Sequence, residues 1–232
     1  YILWTILFRI LQEIVPIVFN PGIIYNSVTD IEGNTYKTVQ IGTQTWMAEN
    51  LLVTKYNDGT DISYCPSSDW STISSGAYCE YRDVSGNTYI ATYGRLYNYY
   101  AVTGSHNVCP AGWHVPLGLD LEQLITFLGG FDVAGDKMRE TGITHWADYS
   151  NQNDATNDSG FTGLPGGMRD PGGSFLNLGH VGLGYWWFVF DPGNLGIANG
   201  FSLSPFNNSV TIEPSGNNTQ KFGLSVRCVK DN

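Results

Sequence analysis

The sequence predicts an α+β head joined to an apolar amino-terminal stem, and three observations carry that prediction. Residues 27–34 and 35–41 read as a hairpin around Glu32, Gly33 and Asn34, and the run Tyr185, Trp186, Trp187, Phe188, Val189, Phe190 is apolar on both faces of a strand. Leu96, Tyr97, Tyr100 and Ala101 recur at helical spacing, as do Leu121, Leu124, Ile125 and Leu128. Residues 1–19 are apolar apart from Thr5, Arg9, Gln12 and Glu13.

The first segment opens without Met, which predicts a processed or partial product. Strand alternation fails in it, whereas Thr5, Arg9, Gln12, Glu13 and Pro16 fall within an arc of about 100° on a helical wheel. A helix of ~28 Å, ended or kinked at Pro16, is therefore expected. A signal peptide would need a basic start and a small-residue cleavage site, and neither is visible. A membrane span would place Arg9 and Glu13 in hydrocarbon, at roughly a few kcal/mol. Self-assembly needs neither: copies pack their stems together through Ile2, Leu3, Trp4, Ile6, Leu7, Phe8, Ile10, Leu11, Ile14, Val15, Ile17, Val18 and Phe19.

Asn20, Pro21 and Gly22 break the pattern and predict a hinge, so residues 1–22 form stem and hinge and residues 23–232 the head. After the hairpin, residues 45–52 continue as a strand or edge segment. Two amphipathic helices follow around residues 96–101 and 121–128, the second stopped by Gly129 and Gly130. Between them, Cys109, Pro110, Ala111, Gly112, Trp113 and His114 combine a turn, a large aromatic and half a crosslink. The run at 185–190 reads as a central strand closed by a turn at Asp191, Pro192, Gly193 and Asn194. Alternation over residues 222–229 reads as a final strand containing Cys228.

Composition narrows the class. The chain has 232 residues, a net charge of −10 and only 11 Lys plus Arg, with no basic run, so nucleic acid is excluded as an expected partner. Glycine and tyrosine are abundant and only 14% of residues are charged, which suits a loop-rich extracellular domain. Four cysteines allow three pairings. Proximity favours Cys65 with Cys79 and Cys109 with Cys228, the shorter loop contributing about 3 kcal/mol on the chain-entropy model. The alternative is four reduced, buried thiols.

From Val28 to Leu51, and in the stretches Tyr93 to Val102, Cys109 to Pro116, Glu140 to Gly142 with His145 and Trp146, Asn157 to Arg169, Tyr185 with Trp186, and Phe222 to Asp231, the chain resembles the Fibrobacter succinogenes major paralogous domain family. The resemblance covers nearly all of the head and leaves out the stem. It implies a C-type lectin-like head with a twisted antiparallel sheet and two short helices, carried on secreted or surface proteins. The family usually turns polar after its Trp, whereas Trp187 and Phe188 stay apolar here, which suggests extra burial or a subunit contact.

A lectin-like fold does not establish sugar binding. The calcium-dependent triplets Glu-Pro-Asn, Gln-Pro-Asp and Trp-Asn-Asp are absent. Asn151, Asn153, Asp154, Asn157 and Asp158 offer oxygens suited to calcium, although an ordinary Asn-rich loop is the preferred reading. Trp70, Trp146 and Trp187 are candidates for stacking on glycans, although a place in the core is the preferred reading. His106, His114, His145 and His180 lack metal-ligand spacing, and no catalytic motif appears. Formylglycine-generating enzymes have a related fold and use cysteine chemistry, but structural bridges would leave no nucleophile here. Two expectations result: a non-enzymatic subunit of an extracellular filament, partnered by copies of itself, or a membrane-anchored adhesin or carbohydrate-binding module.

Overall fold

The structure is a computed structural model and describes residues 16–66, 68–81, 88–147, 155–178, 183–189, 198–213 and 219–232. The strands among them are β1 (Asn26–Thr29), β2 (Thr35–Ile41), β3 (Gln44–Met47), β4 (Ser63–Tyr64), β5 (Ala77–Cys79), β6 (Leu96–Asn98) and β7 (Trp113–His114). They continue with β8 (Gly166–Arg169), β9 (Phe175–Leu178), β10 (Gly184–Val189), β11 (Ala198–Leu203), β12 (Val210–Ile212), β13 (Gly223–Leu224) and β14 (Val229–Lys230). The helices are α1 (Ile90–Tyr93), α2 (Tyr99–Thr103), α3 (Gly118–Phe127) and α4 (Phe131–Met138).

The α+β class holds, but the strands form two sheets. One runs β1-β2-β3-β14-β7 and is antiparallel throughout. The other runs β12-β11-β10-β8-β13-β6-β5-β4, with β9 beside β8, and contains parallel pairings at β10 with β8 and at β4 with β5. The expected hairpin is β1 with β2, its turn tied by Asp30, whose carboxylate accepts from the amides of Glu32 and Asn34.

Strand β10 is apolar on both faces because it is the wall between two cores. Tyr185, Trp187 and Val189 enter a cluster with Met47, Leu51, Tyr97, Trp113 and Val226. Trp186 and Phe188 enter another with Trp46, Trp146, Phe161, Phe201 and the buried face of α3, formed by Leu121, Leu124 and Ile125. A smaller cluster holds Cys65, Trp70, Ala77, Cys79 and Leu96. The turn expected at Asp191 to Asn194, and Phe190, lie outside the described residues.

Two local expectations are corrected. Leu96 and Tyr97 lie in strand β6, with Tyr97 opposite Tyr78 and Leu224, and the helix begins only at Tyr99. Asn98 sets the boundary: its side-chain oxygen accepts from the Ala101 amide at 3.0 Å, capping α2, and from the Ala77 amide at 2.9 Å, tying the cap to β5. The terminal run is likewise not one strand. Residues 225–228 carry the chain from β13 in one sheet to β14 in the other.

Residues 16–20 are not helical, which agrees with a helix ended at Pro16 and not with one kinked there and continued to Phe19. The Val18 amide donates to Glu140 Oε1 at 2.6 Å, and Phe19 packs edge-on against Tyr25 at 5.2 Å with the Lys37 ammonium 5.0 Å from its ring centre. Val18 and Phe19 therefore belong to the head's own surface rather than to a free stem, because Glu140 and Tyr25 supply partners inside the same chain. Residues 1–15, with Ile2 to Val15 of the expected assembly face, lie outside the described residues. Among the described residues no helix is long and apolar enough to cross a membrane.

Candidate functional site

The three tryptophans considered for glycan stacking all point inward. Trp70, Trp146 and Trp187 are each 0% exposed. Their indole N–H groups donate to backbone carbonyls of Lys221 at 2.7 Å, Gly163 at 2.9 Å and Tyr97 at 2.7 Å. With ring faces covered and the polar edge satisfied, none can stack on a sugar, and they serve the core instead.

The oxygen-rich loop separates in the same way. Asn153 and Asp154, with Asn151, lie outside the described residues. Asn157 is buried at positive φ (49°), its side chain accepting from the Thr162 amide at 2.8 Å and donating to the Thr162 hydroxyl at 2.9 Å. Asp158, one residue on, is exposed. The two described candidates thus face opposite ways, and Asn157 holds its own loop shut. Among the described residues no group of three His, Cys, Asp or Glu is arranged to hold a metal ion.

Cys109 and Cys228 form a disulfide across 119 residues of sequence. Cys65 and Cys79 do not, which corrects the second expected bridge: both are buried free thiols. They continue the parallel register of β4 and β5, but the Cys79 sulfur faces the Arg169 guanidinium as a hydrogen-bond partner. Burial pushes the Cys79 thiol up to about 12, leaving it protonated and unreactive.

The signature stretches supply inward-facing polar groups. Arg169 donates to the Cys65 carbonyl at 2.5 Å and the Gly173 carbonyl at 3.0 Å, with its guanidinium 4.7 Å from the Trp70 ring centre. Arg227 donates to Asn50 Oδ1 at 2.8 Å and to the carbonyls of Phe161 and Thr162, between the rings of Phe161 and Trp186. Asn50 Oδ1 also accepts from the Trp186 indole at 2.8 Å. Glu140, fully buried, pairs with His145 Nδ1 at 2.6 Å while accepting from Val18. These groups join distant segments, so their chemistry is structural.

Two surface features remain. The first is a cavity of about 380 Å³ lined by Ile23, Ile41, Gly42, Phe127, Leu128 and Ser159, with Gln40, Lys137 and Asp158 at its polar side. Phe127 is 63% exposed. Sequence reading missed this cavity, although a signal was present: Phe127 is apolar yet off the 121, 124, 125, 128 face of its helix. The second is Tyr64, 42% exposed on the terminal strand β4, its ring centre 5.3 Å from that of Tyr78. His114 sits apart from both, between Asp231 Oδ1 at 2.6 Å and Asp120 Oδ2 at 3.0 Å.

The described residues thus define a disulfide-braced α+β domain held by buried arginine anchors. Comparison of the sequence with protein families then places it: the Fibrobacter succinogenes major domain matches residues 39–230, and the chain belongs to that family. No curated protein and no solved structure matches it.

Proposed function

We propose that this chain is a non-enzymatic structural subunit of an extracellular bacterial filament or pilus-like appendage, with residues 1–15 packing between copies and a C-type lectin-like head exposed. The observation that carries the reading is the contrast between the two parts. Residues 1–15 hold ten large aliphatic or aromatic side chains between Ile2 and Val15 with only Arg9 and Glu13 charged, while the described residues of the head form two large cores of their own. Burying about ten such side chains stabilises an assembly by roughly 1.5–3 kcal/mol each before the entropy of association is subtracted. The Cys109–Cys228 disulfide fits an oxidising extracellular or cell-surface location.

Electron micrographs and sedimentation velocity of the full chain beside one lacking residues 1–15 test the reading. The deletion stops before Pro16 because Val18 and Phe19 are bound to the head. Fibres from the full chain and monomers from the shortened one are expected; fibres from both would overturn it.

The exposed Tyr64, tilted against Tyr78, favours a second reading: a membrane-anchored adhesin or carbohydrate-binding module that stacks a sugar ring there. In that case glycan-array signals from the head are lost on Tyr64→Ala.

A further inference from the structure

We infer that His114 is a proton-operated latch: as imidazolium it ties Asp231, just beyond β14, to Asp120 in the first turn of α3, and on losing that proton it keeps Asp120 and releases Asp231. The latch involves none of residues 1–15 and is independent of the filament reading.

Geometry sets the proton count. His114 Nδ1 lies 2.6 Å from Asp231 Oδ1 and Nε2 lies 3.0 Å from Asp120 Oδ2, so each ring nitrogen faces a carboxylate oxygen. An ionised carboxylate only accepts and a neutral imidazole carries a single N–H, so both contacts are hydrogen bonds only while both ring nitrogens are protonated. These two carboxylates are the charged groups that face the ring. On β14, Val229 lies opposite His114, and Lys230 lies opposite Trp113, the other residue of β7. From β3, Gln44 reaches Asp120 rather than the imidazole. The hydrogen bond to Asp120, joined by that to Asp231, outweighs burial and raises the pKa of His114.

The two carboxylates are not equally free to yield. The Trp46 indole can only donate, and it donates to Gln44 Oε1 at 3.1 Å, which leaves Gln44 Nε2 to donate to Asp120 Oδ1 at 3.0 Å. Asp120 Oδ2 also accepts from the Leu117 amide at 2.8 Å. Trp46 is fully buried, so a chain of donors fixes Asp120 to the core beneath α3. The Asp231 side chain is 55% exposed against 17% for Asp120, and water can replace the ring there at little cost. A neutral ring with its N–H on Nδ1 would set the Nε2 lone pair against an oxygen that cannot move away. With its N–H on Nε2, the ring keeps the Asp120 bond and sets its lone pair against an oxygen that can. The neutral form is therefore the Nε2–H tautomer, and Asp231 leaves. The Asp231 amide still donates to the Gly112 carbonyl at 2.9 Å, so the side chain and Asn232 are released while β14 stays in place.

The test is an NMR titration of the full chain, labelled with ¹⁵N and ¹³C, from about pH 5 to 10, reading the His114 ring nitrogens, the Asp231 carboxyl carbon and the ¹³C relaxation of the Asp231 side chain. Both ring nitrogens should carry protons at the acid end and Nε2 alone at the alkaline end. The Asp231 signals should step at the same midpoint, with the open fraction rising about tenfold per pH unit below it. In Asp231→Asn the ring midpoint should fall toward the ordinary imidazole value. His114→Gln has no proton to lose in this range, so residue 231 should show no step. Protonation of Nδ1 alone at the alkaline end overturns the latch, as does an Asp231 carboxyl that stays unchanged while the ring titrates. A step at residue 231 that persists in His114→Gln overturns it too.

Discussion

Arg227 places a guanidinium where water cannot reach it, and burial pushes its pKa down to about 9. Its direct acceptors are the Asn50 amide oxygen and two backbone carbonyls, so geometry rather than a matched carboxylate holds the charge. A lysine cannot reproduce a planar fork that spans three acceptors and lies on two rings. Arg227→Lys should lower unfolding free energy by about 3 kcal/mol in urea titrations, and a loss under about 1 kcal/mol would refute this role. His114 gives a prediction in pH. Its pKa is raised, first by the hydrogen bond to Asp120, against burial, and then by Asp231. Burial works against ionisation of Asp120, but His114 and the Leu117 amide outweigh it and the pKa is lowered. The His114 contribution is complete below the unfolded value of about 6.5 and is lost as pH rises through the raised folded value. That of Asp120 is present above about 3.9 and is lost as pH falls through its lowered folded value. His114→Gln should therefore reduce stability most between about pH 4 and 6.5, by about 1 kcal/mol given the exposure of Asp231, with the difference from the unaltered chain shrinking in alkaline melts.

At the scale of elements, legibility depended on whether a pattern was local. Helix α3 was readable because Leu121, Leu124, Ile125 and Leu128 repeat at the helical period and Gly129 and Gly130 end it at positive φ. Strand β10 was readable because five consecutive apolar side chains, Tyr185 to Val189, fit a strand buried on both faces. Strand β6 was not, since Leu96 and Tyr97 match a helical period and only pairing with β5 and β13 decides against it. A core place for Trp70 and Trp146 was the preferred reading and holds, but the distant segments that cover them were not legible. Helix α4 was hidden by Gly135 in its middle, and that glycine has a local cause. Its amide donates to the Asn208 carbonyl at 2.8 Å, and a Cβ there would lie 2.6 Å from the carbonyl oxygens of both Asn208 and Ser209. Helix propensity favours Gly135→Ala by about 1 kcal/mol, whereas displacing the backbone of the 208–209 turn costs about 1–3 kcal/mol. The clash should win, so the substitution lowers the melting temperature; a rise would show that the turn yields.

For the whole molecule, the decisive link is the Cys109–Cys228 disulfide. Cys228 immediately precedes β14, the strand between β3 and β7, and Cys109 lies just ahead of β7. Everything from α3 through β13 is contained in the loop that the bond closes, so a single crosslink holds the two ends of the larger sheet's excursion to the smaller sheet. The Cys109 to Cys228 pairing was legible because each cysteine sits in a stretch with its own strand or turn signal. The fate of Cys65 and Cys79 was not, because the Arg169 side chain that faces Cys79 arrives from about ninety residues away in sequence. Closing a loop of 119 residues limits the unfolded chain strongly, and loss of the bond should cost about 2–5 kcal/mol. Replacing both Cys109 and Cys228 by alanine should therefore move the urea midpoint down and raise the denaturant dependence, as the unfolded chain becomes free to expand. Reductant should reproduce the shift in the unaltered chain and leave the double variant unchanged. Alkylation in denaturant without reductant should mark Cys65 and Cys79 and spare Cys109 and Cys228. Should reductant shift the double variant as far as the unaltered chain, the bond that braces the head would have to lie between Cys65 and Cys79 instead.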